Sequence, residues 1–494
     1  MTIDAKLELL TTLTQIPTAA GREHRVVAFI KAWAAAREDI ILTEDAGGNL
    51  VLEIDARNRK ERKRRNRDDF GQSQRRPLFI TAHLDHPAFV VERIATVGEN
   101  WFEMSFRGGV MDVFFEHAPL TVHLEDGTSL KATISKGCNP SNGTGAVGKS
   151  YVVECDGGPG DAAKVKLGDI GTWRLPPAKI DAQGILHTHA CDDLAAAAAA
   201  LAAFDDLREL RAKDQKLEDV RLLFTRSEEI GFIGAIAACK LRTMPPGSRV
   251  LALENSRSFA ADSPIGGGPI VRVGDRLSIF TPWLTAACCA RAEQIFGGTS
   301  TPRASEKLAA AAKRPWQRKL MSGGACEASV FCYAGYAATC ICLPLGNYHN
   351  MTNLDALQAS TYDATQSGPP RCGPEFIHTQ DYLGLVDLLV ALGTSLPNSD
   401  AKTFGDKLEV MFNEKKFVLG EETLAKLLPT HGSKTTGAGN GGAPDDAPPP
   451  AMTMTPPPRV REGSRGGAAG PRGRSGESRG RGEPNRPQRS GRSG

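Results

Sequence analysis

No stretch of this chain approaches the roughly 18 consecutive apolar residues that signal a membrane helix, so no membrane partner is expected. The N-terminus, MTIDAKLELLTTLTQIPTAAG, lacks the basic start and apolar core of a secretory signal and reads instead as an amphipathic helix. Repeated cysteine spacing is also absent. The eleven cysteines are odd in number and loosely placed, with Cys288 and Cys289 adjacent and Cys340 and Cys342 on one apolar run. That usage argues against a disulfide framework and for reduced thiols in a cytoplasmic protein. A formal net charge of +3 averages very uneven segments and so identifies no partner.

What is present fits a globular protein of more than one folded unit, since 494 residues exceed one ordinary core and 40% of them are hydrophobic. Apolar residues recur at helical spacing from Leu7 to Ala36, broken at Ile16-Pro17-Thr18, so two helices should precede a first strand near Asn49 to Ile54. Residues 56–76, ARNRKERKRRNRDDFGQSQRR, separate that strand from PLFITAH. A basic polar run between two strands reads as the solvated tip of a long hairpin, with contact to nucleic acid or an acidic surface as the alternative.

From about Phe89 to Ile180 the pattern changes to short alternating strands (FVVERI, WFEMSF, LTVHLE, LKATIS, YVVEC) separated by Gly, Asn and Asp turns, as in a small β-barrel or sandwich. Strands then alternate with helices: a helix from Asp193 to Phe204, VRLLFT, a helix after Gly231, VLALE, a helix from Thr285 to Ile295 and YAATCICLPL. The fold class is therefore α/β, a mainly parallel or mixed sheet between helices, with a β-rich insertion. The expected organisation is a first catalytic part at 1–86, an insertion at 87–180, a second catalytic part at 181–431, and a tail at 432–494. Helical segments Tyr382 to Leu392 and Glu421 to Leu428 should close the ordered part. The tail is Gly, Pro, Ser and Arg, too poor in apolar residues to offset its ordering entropy. Its Arg-Gly repeats suit RNA or another anion electrostatically, and a merely solubilising tail equally.

The chemistry sits where buried strands end. FITAH closes on His83, with Asp85 two residues later. VRLLFT runs into the adjacent Glu228 and Glu229, VLALE ends in Glu254, and CICLPLGNYHN carries His349. Asp192 and Asp193 open an alanine-rich helix, where an N-cap is the ordinary explanation for one of them. Ligands of open α/β sheets gather beyond the carboxyl ends of the strands. Paired carboxylates there repel unless cations neutralise them or one keeps a proton. Each residue has an ordinary reading alone; five hard or borderline donors along one sheet edge point to metal binding.

These segments, in this order, resemble the glutamyl and tetrahedral aminopeptidase family of co-catalytic di-zinc metallopeptidases, over roughly residues 5 to 395. AHLDHPAFVVERI is similar to its His-x-Asp segment, ACDDLAAAA to its bridging-aspartate helix, TRSEEIGFIGA to its Glu-Glu segment and SPIGGGPIVRVGD to its Gly-Pro loop. KLGDIGTW, MSGGACEAS and LPLGNYHN complete the set. The resemblance implies two divalent metal ions per subunit, Zn with Co or Mn as alternatives. His83 and Glu254 would hold one ion, Glu229 and His349 the other, and Asp192 would bridge them. Asp85 would orient His83, and Glu228 would serve as general base. It further implies hydrolysis of N-terminal residues from peptides, and a homo-oligomer assembled through the inserted domain, often as a dodecameric cage. Departures fall where substrate is read: Leu194 where an Arg is usual, Glu254 and Glu327 where Asp is common, and no Arg before LGNYHN. Glu254 keeps open a related carboxypeptidase or N-acyl amino acid deacylase. A nucleic-acid-associated protein using the basic segments is the alternative of another class.

Overall fold

The computed structural model describes residues 1–55, 76–138, 148–213, 215–297, 315–397 and 401–420. The basic segment 56–75, the helix expected at Glu421 to Leu428 and the tail 432–494 lie outside the described residues. Among the described residues, no helix is long and apolar enough to cross a membrane. The cysteines whose side chains are described are all free thiols.

An eight-stranded mixed sheet forms the centre. Its strands are β1 (Ile40–Glu44), β2 (Leu50–Ile54), β3 (Leu78–His83), β12 (Val220–Thr225), β13 (Arg249–Arg257), β14 (Ile270–Asp275), β15 (Gln317–Met321) and β16 (Ala337–Leu345), in the order β1-β2-β12-β3-β13-β16-β14-β15. The four central strands β12, β3, β13 and β16 are mutually parallel, whereas β1–β2, β2–β12 and β14–β16 are antiparallel. Central strands are buried on both faces, which is why they read as unbroken apolar runs. Leu78, Ile80 and Ala82 face one core, with helices Ile3–Leu13, Leu194–Ala212 and Thr379–Thr394, while Phe79 faces a second core under helices Ile233–Leu241 and Glu327–Tyr333. The alanine run of Leu194–Ala212 is buried throughout, because small side chains let this helix sit close to β3 and to both neighbouring helices at once.

The insertion is a closed six-stranded barrel, ordered β4 (Ala88–Ile94), β5 (Trp101–Arg107), β8 (Lys149–Cys155), β7 (Ser129–Cys138), β6 (Pro119–His123) and β9 (Ile170–Trp173). Pairing of Phe89 with Gly171 closes it, so no strand edge is left open. Phe89, Phe106, Phe115, Tyr151 and Trp173 fill it with edge-to-face and stacked rings 4.5–6.0 Å apart. A small antiparallel sheet, β10 (Lys179–Ile180), β11 (Ile185–Thr188) and β17 (Glu375–His378), stands beside the main one.

Three expectations need correction. A strand, β1, precedes the one expected first; IILTE is only half-buried at an edge and carries no clear alternation. Segment 56–76 does not join a hairpin, because β12 lies between β2 and β3 and pairs with both. The polar groups of β3 are met by a parallel strand from far along the chain, which no local pattern announces. Residues Lys179–Ile180 pair with β11 on the α/β side, so the insertion ends before 180.

The packing of the alanine helix is directly testable. Ala198→Leu adds three heavy atoms where exposure is 0%, and should cost about 1–3 kcal/mol, read as a lower urea midpoint at unchanged slope.

Candidate metal centre

Strand register assembles the site. His83 ends β3 opposite Thr225 of β12. Ala252 of β13 pairs with Thr81, so continuing that register by two residues brings Glu254 beside His83, on the same face. After β12 the chain turns back on itself: Gly234 N donates to Arg226 O at 2.7 Å. A side chain at Gly234 would lie 2.4 Å from the Arg226 backbone, so only glycine permits the turn. Glu228 and Glu229 occupy this loop, which Glu23 holds from below by accepting from Ser227 N at 3.0 Å and Arg226 Nε at 2.7 Å.

The sequence-predicted residues converge. His83 Nε2 lies 3.3 Å from Asp192 Oδ1, 3.9 Å from Glu254 Oε1 and 4.0 Å from Glu228 Oε2. His349 Nε2 lies 3.5 Å from Asp192 Oδ2 and 3.4 Å from Glu229 Oε2. Asp192 thus turns one oxygen to each imidazole. Both rings have fixed tautomers, since a carbonyl can only accept: Nδ1 of His349 donates to Gly109 O in the barrel at 2.7 Å, and Nδ1 of His83 to Asp85 O at 3.1 Å. Each Nε2 is thereby turned toward the carboxylates. Three groups of donors able to surround an ion result: His83, Asp192, Asp193 and Glu254; Asp192, Glu229 and His349; and His83, Glu228 and Glu229.

Asp85, the expected orienter of His83, meets the ring and the glutamate loop at once. Its main-chain carbonyl is the near partner of the ring, and its carboxylate is 3.5 Å away. That carboxylate instead accepts from Glu228 N at 2.9 Å and Glu229 N at 3.0 Å, holding both glutamates in place. Asp193 makes no capping bond to the helix it precedes; its Oδ2 accepts from His83 N at 3.3 Å.

Four site-shaping residues escaped the sequence reading. Glu375 opens β17 and bonds backbone on two sides of the site. His86 is within hydrogen-bond distance of Asp192 O and Asn350 Oδ1, and burial pushes its ring down to about 4. Asn350 donates onward to His189 O at 2.8 Å. Arg272 is 2% exposed in a cavity of about 660 Å³ that opens beside Glu254. His86 and Asn350 stand next to predicted residues in HLDH and YHN; Glu375 and Arg272 carry no local signal.

Electrostatics tests whether cations fit. Asp192 Oδ1, Asp193 Oδ1, Glu229 Oε1, Glu254 Oε2 and Glu327 Oε1 are buried without a hydrogen-bond partner. Burial pushes the Glu228, Glu229 and Glu254 carboxyls above the ordinary range, and their neighbouring carboxylates add to the shift. Burial raises Glu327 to about 7. Imidazole and carboxylate donors with orphaned oxygens, facing one another within 4.8 Å, suit divalent ions.

Residues 69–295 match the model of the M42 glutamyl aminopeptidase family. The TET1 peptidase of Pyrococcus horikoshii shares the fold at TM-score 0.56 and 20% identity, over 80% of this chain and 100% of that one; it can assemble into a tetrahedron or a large octahedral shell. A TET aminopeptidase of the Thaumarchaeota archaeon SCGC AB-539-E09 superposes at 0.58 with 18% identity, over 81% and 98%. An aminopeptidase of Desulfurococcus kamchatkensis does so at 0.57 with 18% identity, over 80% and 96%. No curated protein matches the chain.

Glu327 offers a pH test on metal-free protein. An acid whose pKa folding raises binds more protons folded than unfolded. The native state therefore loses stability as pH climbs from about 4.3 to about 7 and no further. Glu327→Gln removes that loss. Its melting temperature relative to the parent should rise between pH 5 and 7 and level off above; a flat difference would reject the raised carboxyl.

Proposed function

From the family match we propose that this chain is a metal-dependent aminopeptidase that hydrolyses N-terminal residues from peptides at a site suited to two divalent ions. Asp192 carries the reading: its two oxygens face two histidines, each with its own further carboxylate, Glu254 beside His83 and Glu229 beside His349. His83 with Glu254 would hold one ion and His349 with Glu229 the other, bridged by Asp192. Zn²⁺ suits this set, and Co²⁺ or Mn²⁺ accept the same donors. When bound, such a pair polarises the scissile carbonyl and lowers the pKa of water.

The remaining steps belong to protein groups. Glu228, held by Asp85 through its backbone N–H, takes the proton of the attacking water and returns it to the leaving amine. The cavity beside Glu254 receives the N-terminal side chain. Arg257, Arg272 and Lys319 line it against Glu254 and Asp262. Lys319 is paired with Asp262, and Arg257 with Asp355. Among the described residues Arg272 donates to Ser256 Oγ at 3.0 Å, and its Nε is unpartnered. A buried guanidinium near Glu254 but with no carboxylate hydrogen-bonded to it among the described residues favours an acidic side chain, glutamate or aspartate, which it can meet with two bonds. Assembly of several copies through the barrel is part of the same proposal, supported by the shells of the TET1 peptidase.

Glu228→Gln should lower kcat by about 10²–10⁴-fold while elemental analysis still finds two metals per chain; full turnover in that variant rejects the assigned base. Chelation should abolish cleavage, and N-acetylated peptides should resist it; cleavage of the acylated set alone would favour a deacylase. Arg272→Met should reduce kcat/KM for peptides beginning with Glu by roughly 10–100-fold, the worth of a charged hydrogen bond, and spare those beginning with Leu. Light scattering should give a mass several times 52.7 kDa.

A further inference from the structure

We infer that Glu375 is a positioning residue that fixes the distance between Asp192 and His349, and thereby governs binding of the second of the two ions. The inference rests on the di-metal reading above. Glu375 is fully buried at the start of β17, paired in register with Thr188 of β11. Its Oε2 accepts from Cys191 N at 2.7 Å and Asp192 N at 3.1 Å, and its Oε1 accepts from His349 N at 2.8 Å. One carboxylate therefore ties together two chain segments more than 150 residues apart, each carrying a donor to the same ion position.

A purely structural carboxylate would also satisfy buried N–H groups, so the positions of its three donors matter. Asn347, His349 and Asn350 have φ of +51°, +54° and +64°. That left-handed backbone is unfavourable for residues with side chains and persists only where the surroundings impose it. At His349 the backbone N–H is held by Glu375 and the ring by the Gly109 carbonyl. The first ion position shares Asp192 but has supports of its own, Asp193 on His83 N and Asp85 O on the His83 ring. Loss of Glu375 should therefore weaken the second position, where it holds both Asp192 and His349, more than the first, which shares only Asp192 with it.

An amide offers one oxygen and one NH₂ group. In Glu375→Gln the NH₂ must face an N–H donor, so one of the two ties is lost whichever way the amide turns. Co²⁺ titration followed by visible absorption and calorimetry reads the effect directly. The native protein should bind two ions. E375Q should bind the second roughly 10–100-fold more weakly, as for other groups that orient metal ligands, and the first with a clearly smaller loss. Its turnover should fall and recover at raised Co²⁺, which a folding defect would not do. E375D keeps both oxygens but is a methylene short, and should lie between the two; it carries the same test if E375Q does not fold. Unchanged affinity for the second ion, or equal weakening of both, overturns the role of Glu375 alone. A native protein that binds fewer than two ions overturns the di-metal reading instead, and this inference with it.

Discussion

Like charge buried at one place is the constraint around which the rest of the structure is arranged. Asp85, Asp192, Asp193, Glu228, Glu229, Glu254, Glu327 and Glu375 are all largely withdrawn from water within one region, beside His83, His86, His349 and Arg272. Carboxylates at such density either keep protons or need cations of higher charge than a side chain supplies. Two of the eight, Asp85 and Glu375, are spent on backbone N–H groups and so hold geometry. Five of the others, Asp192, Asp193, Glu229, Glu254 and Glu327, each keep a buried oxygen without a hydrogen-bond partner. Supports and ligands are thus made from one residue type, distinguished only by what each faces.

The sheet makes this concentration possible. Parallel central strands deliver their carboxyl ends to one edge, and register sets His83, Thr225 and Glu254 side by side. Since both faces of these strands are buried, the loops beyond them have no freedom to drift, and Glu23 and Asp85 pin the tightest of them. The polar site therefore stands on a rigid apolar platform, where repulsion between carboxylates cannot be relieved by spreading apart.

Much of this was legible in the sequence because it repeats at strand ends. FITAH, VRLLFT, VLALE and CICLPL announce buried strands, and a donor follows or closes each. The alternating pattern of the insertion predicts its small β architecture. What stayed hidden depends on contacts between distant segments. β1 and β15 are edge strands with mixed patterns, and the separation of β2 from β3 by β12 is set by tertiary pairing alone. Glu375 sits in GPEFIH with nothing local to mark it, since its meaning lies in N–H groups from residues 191, 192 and 349. Asp85 was found from spacing, but its carboxylate serves a loop some 140 residues away.

The contact between Gly109 and His349 gives the barrel a part in the chemistry of its host domain. A carbonyl at the barrel's base selects which nitrogen of the imidazole carries hydrogen. An insertion of this kind is not a detachable module: grafting it out, or replacing it with a loop of equal span, would leave that ring free to change tautomer and turn its lone pair away. A shift in the barrel's seating would reach the site through that one nitrogen.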